Sequence, residues 1–360
     1  MSTFTGLNTM VRGVFNAQTA LNTTGHNITN ASTEGYSRQS ANSAATLAEH
    51  RGGIYGTVEV GTGVEIQAIT RSRDIFADKQ FRAGTSTQQY YETRAQAYDN
   101  LEVIFNDTGE VGMAEAIGDF YKSWVDLSKA AYDTALRTDV TNFAQVLCDT
   151  MQTYTEELQK QINSTYNDMN LYLNDFNQVL QDIADTNRQI IAAEADGSYA
   201  NDLRDRRDLL VDNLAKYVDI NVSTNEVGAY QINSGGVTLI TGIDRLHFAF
   251  SAGIGSEAYG VDYGVVDHNI YFRESKQVFV PQNGLFQAEF DVIDECKSYI
   301  DKIADIATFM LTTFNDQHKQ GYDMYGSEVT ENFFGDSVIN YEYSYDTETR
   351  VYGVTTLNSQ

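Results

Sequence analysis

The first 30 residues carry the clearest alternation of apolar and polar positions in the chain. Apolar side chains recur there at steps of three, four or seven residues: Phe4, Leu7, Val11, Val14, Leu21 and Ile28. This spacing predicts an amphipathic α-helix. The remaining positions are mostly Ser, Thr, Asn, Gln and Ala, with Arg12 as the only charged residue. The helix therefore has a narrow apolar stripe and a neutral polar back.

Such a stripe does not hold an isolated helix together in water, because short helices are marginal until their apolar face is buried. We expect this helix to associate with a partner, and the alternative is that it packs within its own domain. Residues 27–39, NITNASTEGYSRQ, should end the helix, since Asn, Ser and Thr side chains compete for backbone hydrogen bonds and Gly35 permits left-handed geometry. An extended strand is expected to follow.

A second apolar pattern covers residues 151–190 and predicts a long helix. One heptad phase places mostly apolar residues at both core positions: Met151, Leu158, Thr165, Tyr172 and Val179 at one, and Ile162, Met169, Phe176, Ile183 and Ile190 at the other. Gly197 and Ser198 break this helix, and residues 200–217 are predicted to return as an antiparallel neighbour. Residues 286–318 predict another long helix.

Residues 218–285 alternate in hydrophobicity and are rich in Val, Ile, Tyr and Gly, which predicts a small antiparallel β insertion. The predicted fold is mainly α with a β insertion, built around an N-terminal assembly helix and an elongated antiparallel bundle of long helices. The predicted divisions are an assembly helix and turn at 1–35, an extended connector and helix start at 36–95, a bundle at 96–217 and 286–320, the β insertion at 218–285, and an incomplete outer β-rich domain at 321–360.

Composition narrows the classes of partner. The 24 basic and 50 acidic side chains give a net charge of −26, which repels phosphate backbones and anionic membrane surfaces. We therefore predict neither a nucleic-acid nor a membrane partner. The charge is uneven: residues 1–94 hold 8 basic and 7 acidic side chains, which leaves 16 basic and 43 acidic side chains in residues 95–360.

Cysteine, proline and targeting signals add three further expectations. Cys148 and Cys296 lie in separate predicted helices without metal or redox spacing, so one disulfide between them stays open but a disulfide framework is excluded. Pro281 is the only proline, which suits long uninterrupted helices. No secretory signal peptide or membrane-spanning apolar run is visible.

Catalytic and cofactor-binding patterns are weak. The five histidines, at positions 26, 50, 247, 268 and 318, are scattered without a second ligand at metal spacing. Residues 253–258 superficially fit a dinucleotide fingerprint, but no helix follows them, so we interpret them as a loop. Acidic pairs such as Asp205 and Asp208 are interpreted as part of a solvated helix face. We predict no catalytic residue, no cofactor and no metal site.

Residues 21–40, LNTTGHNITNASTEGYSRQS, combine a helix end, an Asn-rich turn and a Gly-Tyr pair. They resemble the N-terminal signature of the flagellar rod, hook and hook-associated proteins. The residues that carry the resemblance are Asn27, Asn30, Gly35, Tyr36, Ser37, Arg38 and Gln39. Because Ser, Arg and Gln follow the tyrosine, the segment is most similar to the hook-associated protein 1 family.

Further motifs of that family follow in order along most of the chain. The first comprises Phe120, Trp124, Leu127, Ser128 and Arg137, and others lie within residues 201–210, 235–242 and 315–334. Glu34, Ala131 and Thr134 stand where the family usually has proline, which removes rigidity from those turns. The family continues beyond the length of this sequence into a C-terminal amphipathic helix that pairs with the N-terminal one, so we expect a fragment or truncated product.

The resemblance implies a structural subunit of the bacterial flagellum that joins hook to filament outside the cell. It implies export without a cleaved signal peptide and self-association in a ring or helical layer. Implied partners are the hook protein, the next hook-associated protein, the flagellar export apparatus and an export chaperone. The alternatives are a hook or distal-rod subunit, a surface adhesin presented by the β insertion, and an enzyme such as a peptidoglycan hydrolase.

Overall fold

The computed structural model describes residues 3–53, 56–105, 112–252, 261–335, 341–346 and 351–356. Its helices are α1 (Thr3–Thr29), α2 (Ile75–Phe105), α3 (Met113–Lys129), α4 (Thr134–Ala193), α5 (Asn201–Tyr217), α6 (Gly284–Phe309) and α7 (Asn315–His318), with a π-helical turn at Met310–Phe314. The first strands are β1 (Gln39–Ala45), β2 (Glu49–Gly53), β3 (Gly56–Val60), β4 (Val64–Arg71), β5 (Asn221–Thr224), β6 (Tyr230–Ser234), β7 (Val237–Thr241) and β8 (Asp244–Arg245). The remaining strands are β9 (Phe248–Ala252), β10 (Val261–Asp262), β11 (Val265–Val266), β12 (His268–Phe272), β13 (Tyr341–Asp346) and β14 (Val351–Thr356).

The strands of the described residues pair in an antiparallel sense. The sheet order is β5-β6-β7-β8 for the four-stranded sheet, and the two-stranded pairs are β1-β4, β2-β3, β9-β12, β10-β11 and β13-β14. Most pairs join strands close in sequence, as expected for hairpins. The predicted mainly helical fold with an antiparallel β insertion is confirmed.

The chain folds as two compact units. Unit 1 comprises Met1–Gln89, Asn174–His247 and Pro281–Gly284, and unit 2 comprises Tyr90–Leu173, Phe248–Val280 and Leu285–Gln360. Helices α2 and α4 supply residues to both units.

Unit 1 has a core made by the end of α4, by α5 and by the four-stranded sheet. Its fully buried apolar side chains include Phe176, Leu180, Ile183, Ile190, Val211, Leu214, Ile232, Leu239 and Ile240. Each such side chain contributes about 1.5–3 kcal/mol of transfer free energy. At the start of α6, Gly284 has φ +82°, and a Cβ there would lie 2.6 Å from the carbonyl oxygen of Tyr217. Only glycine fits this close approach.

Unit 2 has a separate core around the first part of α4, α6 and the β9-β12 pair. Its buried apolar residues include Leu147, Leu158, Ile162, Met169, Phe248, Ile270, Phe279, Phe286, Val292 and Ile293. Cys296 is buried and Cys148 is exposed, and both thiols are free. The structure therefore has no disulfide bond between Cys148 and Cys296.

Helix α4 is longer than the apolar seam that predicts it. The seam residues Met151, Leu158, Ile162, Met169, Phe176, Ile183 and Ile190 are all buried. The helix nevertheless starts at Thr134 and runs for 60 residues. Asp133 accepts a hydrogen bond from the Ala135 backbone N–H at 2.8 Å, which caps the first turn. Val140, Ala144 and Leu147 extend the buried face upstream.

The predicted helix over residues 286–318 contains an irregularity. Five residues, Met310–Phe314, form a π-helical turn between α6 and α7. Such a turn adds one residue to the helical ladder and rotates the side chains that follow it. It precedes Asn315, whose side chain is buried.

Candidate assembly surface and signature clusters

Helix α1 turns its polar face toward the rest of unit 1. It contacts β1 and β4. The α1 positions that are buried or half-buried are Thr9, Gly13, Asn16, Thr19, Thr23 and Asn27. Ser43 of β1 donates a hydrogen bond to Asn16 Oδ1 at 2.8 Å. The contact is therefore small and polar, and it leaves the apolar stripe unused.

The apolar stripe of α1 is exposed along its whole length. The relative exposure is 75% for Phe4, 65% for Val14 and 72% for Leu21. Leu7, Val11 and Ile28 are exposed as well, and so are Met10 and Phe15, which the sequence analysis did not include in the stripe. A contiguous exposed apolar face of this kind is a candidate interaction surface. We call these eight residues the α1 stripe.

The end of α1 is joined to the following turn by the side chain of Asn27. Its Oδ1 accepts hydrogen bonds from the Tyr36 hydroxyl and the Gln39 backbone N–H, each at 2.8 Å. Its Nδ2 donates to the Gln39 carbonyl oxygen at 2.9 Å. The His26 ring packs edge-on against Tyr36. The Asn-rich signature thus fixes the angle at which the chain leaves α1.

The same turn is anchored on α5. The Ser37 N–H donates to Asp205 Oδ2 at 3.0 Å, and Gln39 Nε2 donates to Asp202 Oδ1 at 3.0 Å. Gly35 has φ +78°, and a Cβ there would lie 3.1 Å from Leu209 Cβ. We call this arrangement the signature joint, and its partners come from the predicted motif at 201–210.

The remaining signature residues play smaller parts in the joint. Burial, followed by the charges of Asp202 and Asp205, raises the pKa of Tyr36 above its ordinary value, so its hydroxyl stays a donor. Asn30 Nδ2 donates to the His26 carbonyl oxygen at 3.0 Å, close to the helix end. The Arg38 side chain is exposed, and its carbonyl oxygen accepts from Ser72 N–H.

A buried ionic cluster lies beside the joint and corrects one prediction. Asp205 and Asp208 are not on a solvated face, because they are only 6% and 0% exposed. Arg71 Nη1 contacts Asp205 Oδ1 at 2.6 Å and Asp208 Oδ2 at 2.8 Å. Burial would raise the pKa of Asp208, but hydrogen bonding from Tyr230 and the charges of Arg73 and Arg71 keep it below its ordinary value. The i, i+3 spacing of Asp205 and Asp208 does not reveal that they are buried and paired, because their partner Arg71 is 134 positions away from Asp205.

The signature residues of unit 2 meet in an aromatic cluster. The Phe120 ring centroid lies 6.3 Å from that of Trp124 and 5.5 Å from that of Phe314. Trp124, Leu127 and Arg137 line a cavity of about 540 Å³ together with His318 and Phe333. Arg137 holds the intervening turn by donating to the Ala131 carbonyl oxygen at 2.9 and 2.7 Å.

Asn315 closes the aromatic cluster. Its Oδ1 accepts hydrogen bonds from the backbone N–H groups of Phe333 and Phe334, each at 3.0 Å. Its Nδ2 donates to the carbonyl oxygen of Leu311 at 3.0 Å. The π-helical turn before it aims this side chain inward, and no sequence pattern identifies such a turn in advance.

The part of the chain that the structure describes contains no cluster of three or more His, Cys, Asp or Glu side chains placed to hold a metal ion. Burial lowers the pKa of His318, which packs among the aromatic rings. Among the described helices, none combines the length and apolar character that crossing a membrane requires. The interpretation of residues 253–258 as a loop falls outside the described residues.

The fold and these clusters define a helical subunit with an uncovered apolar terminal helix. Residues 98–334 match the family model of the flagellar hook-associated protein FlgK helical domain. The chain belongs to this family, whose members are structural components of the flagellum. The predicted resemblance is therefore confirmed.

Relatives and a solved structure agree with this assignment. Flagellar hook-associated protein 1 of Bacillus subtilis is 34% identical over 236 residues, covering 65% of this chain and 46% of the relative. The Salmonella typhimurium protein of the same name is 25% identical over 345 residues, covering 94% and 61%. The solved flagellar hook junction protein FlgK of Burkholderia pseudomallei shares the fold, with a TM-score of 0.58, 18% identity and coverage of 78% and 57%. The chain thus spans about half to three fifths of the length of the curated relatives it matches.

Proposed function

We propose that this chain is a structural subunit of the bacterial flagellum, located outside the cell at the junction of hook and filament. The observation that carries the proposal is the α1 stripe, which is exposed while the polar face of α1 contacts its own unit. Family membership and the names of the relatives support the location. In this role the chain binds and positions neighbours, and it catalyses no reaction.

The mechanism that we propose is burial of the α1 stripe between copies. Eight exposed apolar side chains are a large driving force once covered, at about 25 cal/mol per Å² of buried apolar surface. Head-to-tail contacts between different patches would generate a ring or a helical layer. Apart from Arg12, the residues of α1 around the stripe are uncharged, so identical helices approach with little charge repulsion. The signature joint sets the direction in which each helix projects.

The proposed partners follow from the same assignment. They are further copies of this chain, the hook protein on one side and the next hook-associated protein on the other. Passage through the flagellar export apparatus, assisted by an export chaperone, would bring the chain to this place without a cleaved signal. The signature residues Asn27, Tyr36 and Gln39 would act by holding α1 in its assembled direction, since they bond to one another.

Self-association of the purified chain tests this proposal. We expect the double substitution Leu7→Glu and Leu21→Glu to weaken association at least tenfold, because each places a charge in the apolar interface. The matched control is Thr5→Glu with Ala20→Glu, which adds the same charge to exposed positions on the side of α1 away from the stripe. Analytical ultracentrifugation over a concentration series measures both.

The control decides how the result is interpreted. Equal loss in both double variants would assign the effect to net charge and contradict the role of the stripe. Binding of the chain to isolated hooks, followed by sedimentation, tests the location in the same variants. Unchanged association in the stripe variant would overturn the mechanism.

A further inference from the structure

We propose that unit 1 contains an oxyanion-binding cavity beside the start of α5, built to hold one carboxylate or phosphate group. The cavity has a volume of about 280 Å³. Four arginines contribute to its wall: Arg71, Arg73, Arg204 and Arg207. Asp78 supplies the acidic side chain in that wall, and Arg73 Nε lies 2.7 Å from its Oδ2.

The carboxylates that pair with the other arginines lie outside the wall. Arg71 contacts Asp205 and Asp208, and Arg204 holds both carboxylate oxygens of Glu194 at 2.6 Å. None of these three acids lines the cavity in the described structure. The ion pairs are therefore arranged with their cations toward the cavity and their anions behind. A cavity with this arrangement attracts negative charge although the surrounding cluster is close to neutral.

Arg207 is the arginine of this wall for which the described residues supply no directly bonded carboxylate. Its side chain is fully buried, at 1% exposure. Nη1 donates only to neutral acceptors in the described residues, Asn187 Oδ1 at 2.9 Å and the Gly228 carbonyl at 2.8 Å. Nε is buried and makes no hydrogen bond within the described part of the chain. A buried guanidinium without a directly bonded carboxylate is costly, and an oxyanion in the adjoining cavity would offset part of that cost through its charge.

The rest of the wall suits a small oxyanion. The Arg207 guanidinium lies 3.5 Å from the centroid of the Tyr230 ring, so stacking holds it in one orientation. Guanidinium groups match the geometry of carboxylate and phosphate oxygens. Thr70, Asn201 and Thr224 add neutral hydrogen-bonding groups to the wall. The volume is just below that of ordinary small-molecule pockets, so one acidic group fits better than a large ligand.

Two sources offer this chemistry. One is free inorganic phosphate, and the other is an acidic side chain of a neighbouring copy, since each copy carries a net charge of −26. The cavity lies in unit 1 and shares no residue with the α1 stripe. A negative result for the oxyanion site would therefore leave the proposed function unaffected, and the reverse also holds.

Arginine side-chain NMR on the full chain tests the proposal. The chain is labelled with ¹⁵N-arginine, and the Arg207 Nε–H signal is assigned by its loss in Arg207→Lys. Titration with phosphate, at ionic strength matched by sodium chloride, should shift this signal saturably with a dissociation constant on the order of millimolar. Acetyl-glutamate amide, as the second probe, presents a side-chain carboxylate. Tighter binding of phosphate identifies a free ion as the source, and tighter binding of the carboxylate identifies a neighbouring copy.

Two variants locate the binding. Arg204→Gln removes a wall cation and should weaken binding about tenfold. Arg206→Gln removes the same charge from the exposed neighbouring position, which does not line this cavity, and should leave binding within about twofold. If Arg204→Gln fails to fold, Thr224→Val tests the wall without a change of charge and should weaken binding severalfold.

The absence of a saturable shift with both probes would overturn the site. Equal weakening by Arg204→Gln and Arg206→Gln would also overturn it, because the effect would then be general electrostatics. Thermal unfolding of each variant without added anion checks that the fold is retained.

Discussion

At the scale of single residues, three asparagine side chains hold elements of this chain together. Asn27 joins α1 to the turn, Asn187 joins α4 to the β6-β7 hairpin, and Asn315 joins α7 to the segment before residue 335. Each accepts two hydrogen bonds on one oxygen: the donors are one side chain and one backbone N–H for Asn27 and for Asn187, and two backbone N–H groups for Asn315. Losing such an amide leaves buried donors unpaired, at about 1–3 kcal/mol for each group.

The sequence marked Asn27 and, as the first residue of the motif at 315–334, Asn315, but it did not mark Asn187. Asn27 stands in a recognisable turn motif, and its partners lie within 12 positions. Asn187 lies on an apolar helix face, and no sequence motif surrounds it. Its hydrogen-bond partner Tyr230 is 43 positions away. A local pattern reports only neighbours in sequence, so a long-range hydrogen-bond partner has to come from the structure.

Glu289 gives a prediction about pH. It lies on α6 in the core of unit 2, and burial followed by the charge of Asp168 raises its pKa to about 7. The folded state therefore binds this proton more tightly than the unfolded state. Stability is fully retained below the ordinary pKa near 4.5 and falls as the pH rises through 7. The penalty at pH 8 should reach about 3 kcal/mol.

The substitution Glu289→Gln should remove that penalty. We expect it to raise the unfolding free energy at pH 8 and to have little effect at pH 4.5. Asp305→Asn, an exposed acid on the same helix, makes the same change of charge and serves as the control. Urea unfolding at both pH values measures the difference, and a Glu289→Gln variant with an unchanged pH profile would contradict the prediction.

At the scale of elements, α1 differs from the other long helices in what it buries. Helix α4 places a continuous row of apolar side chains in the cores, including Leu158, Met169 and Ile183. Helix α1 places Thr, Asn and Gly against β1 and β4, and it exposes its apolar residues. Since most helical stability comes from packing of an apolar face, α1 is the least stable of these helices in the isolated chain.

Hydrogen exchange tests this contrast. In the monomer, amides of residues 3–21 should exchange with an opening free energy of about 1–2 kcal/mol, as in disordered or fraying segments. Amides around Leu180 and Ile183 should approach the global unfolding limit. On assembly, protection should rise along α1. Strong protection of the α1 amides in the monomer would contradict the low stability assigned to α1 in the isolated chain.

Periodicity predicted the existence of the long helices better than their details. The heptad seam located the buried face of α4, because apolar residues at that spacing have to share one side of a helix. The start at Thr134 and the π-helical turn at Met310–Phe314 were not predicted. Helix ends depend on capping and on contacts with other elements. A π-helical turn inserts one residue into the helix, and the spacing of apolar residues does not reveal that insertion.

At the scale of the whole molecule, charge and assembly act against each other. The net charge is −26, and copies that associate through α1 bring like charges together. Residues 1–94 are nearly neutral, with 8 basic and 7 acidic side chains, so the repulsion comes mainly from residues 95–360. Long-range repulsion between exposed charges is screened by salt, with a Debye length of about 30 Å at 0.01 M and 10 Å at 0.1 M.

Self-association should therefore strengthen as sodium chloride rises from about 0.01 to 0.1 M. Sedimentation equilibrium of the unmodified chain measures the association constant at each concentration. The chain with Leu7→Glu and Leu21→Glu is the control, because it lacks the apolar contact that screening would favour. A constant that falls with salt would indicate that ion pairs between copies dominate the contact.

The sequence alone determined the mainly helical class, the family and the apolar stripe, because these depend on residue order and local periodicity. Only the tertiary structure decided which face of α1 is covered, since an amphipathic pattern does not say whether its partner lies within the chain. Tertiary structure also decided that Asp205 and Asp208 are buried with Arg71, and that four arginines surround one cavity. Those contacts join residues more than a hundred positions apart, and burial, which changes the energetics of a charge, is a property of the folded chain.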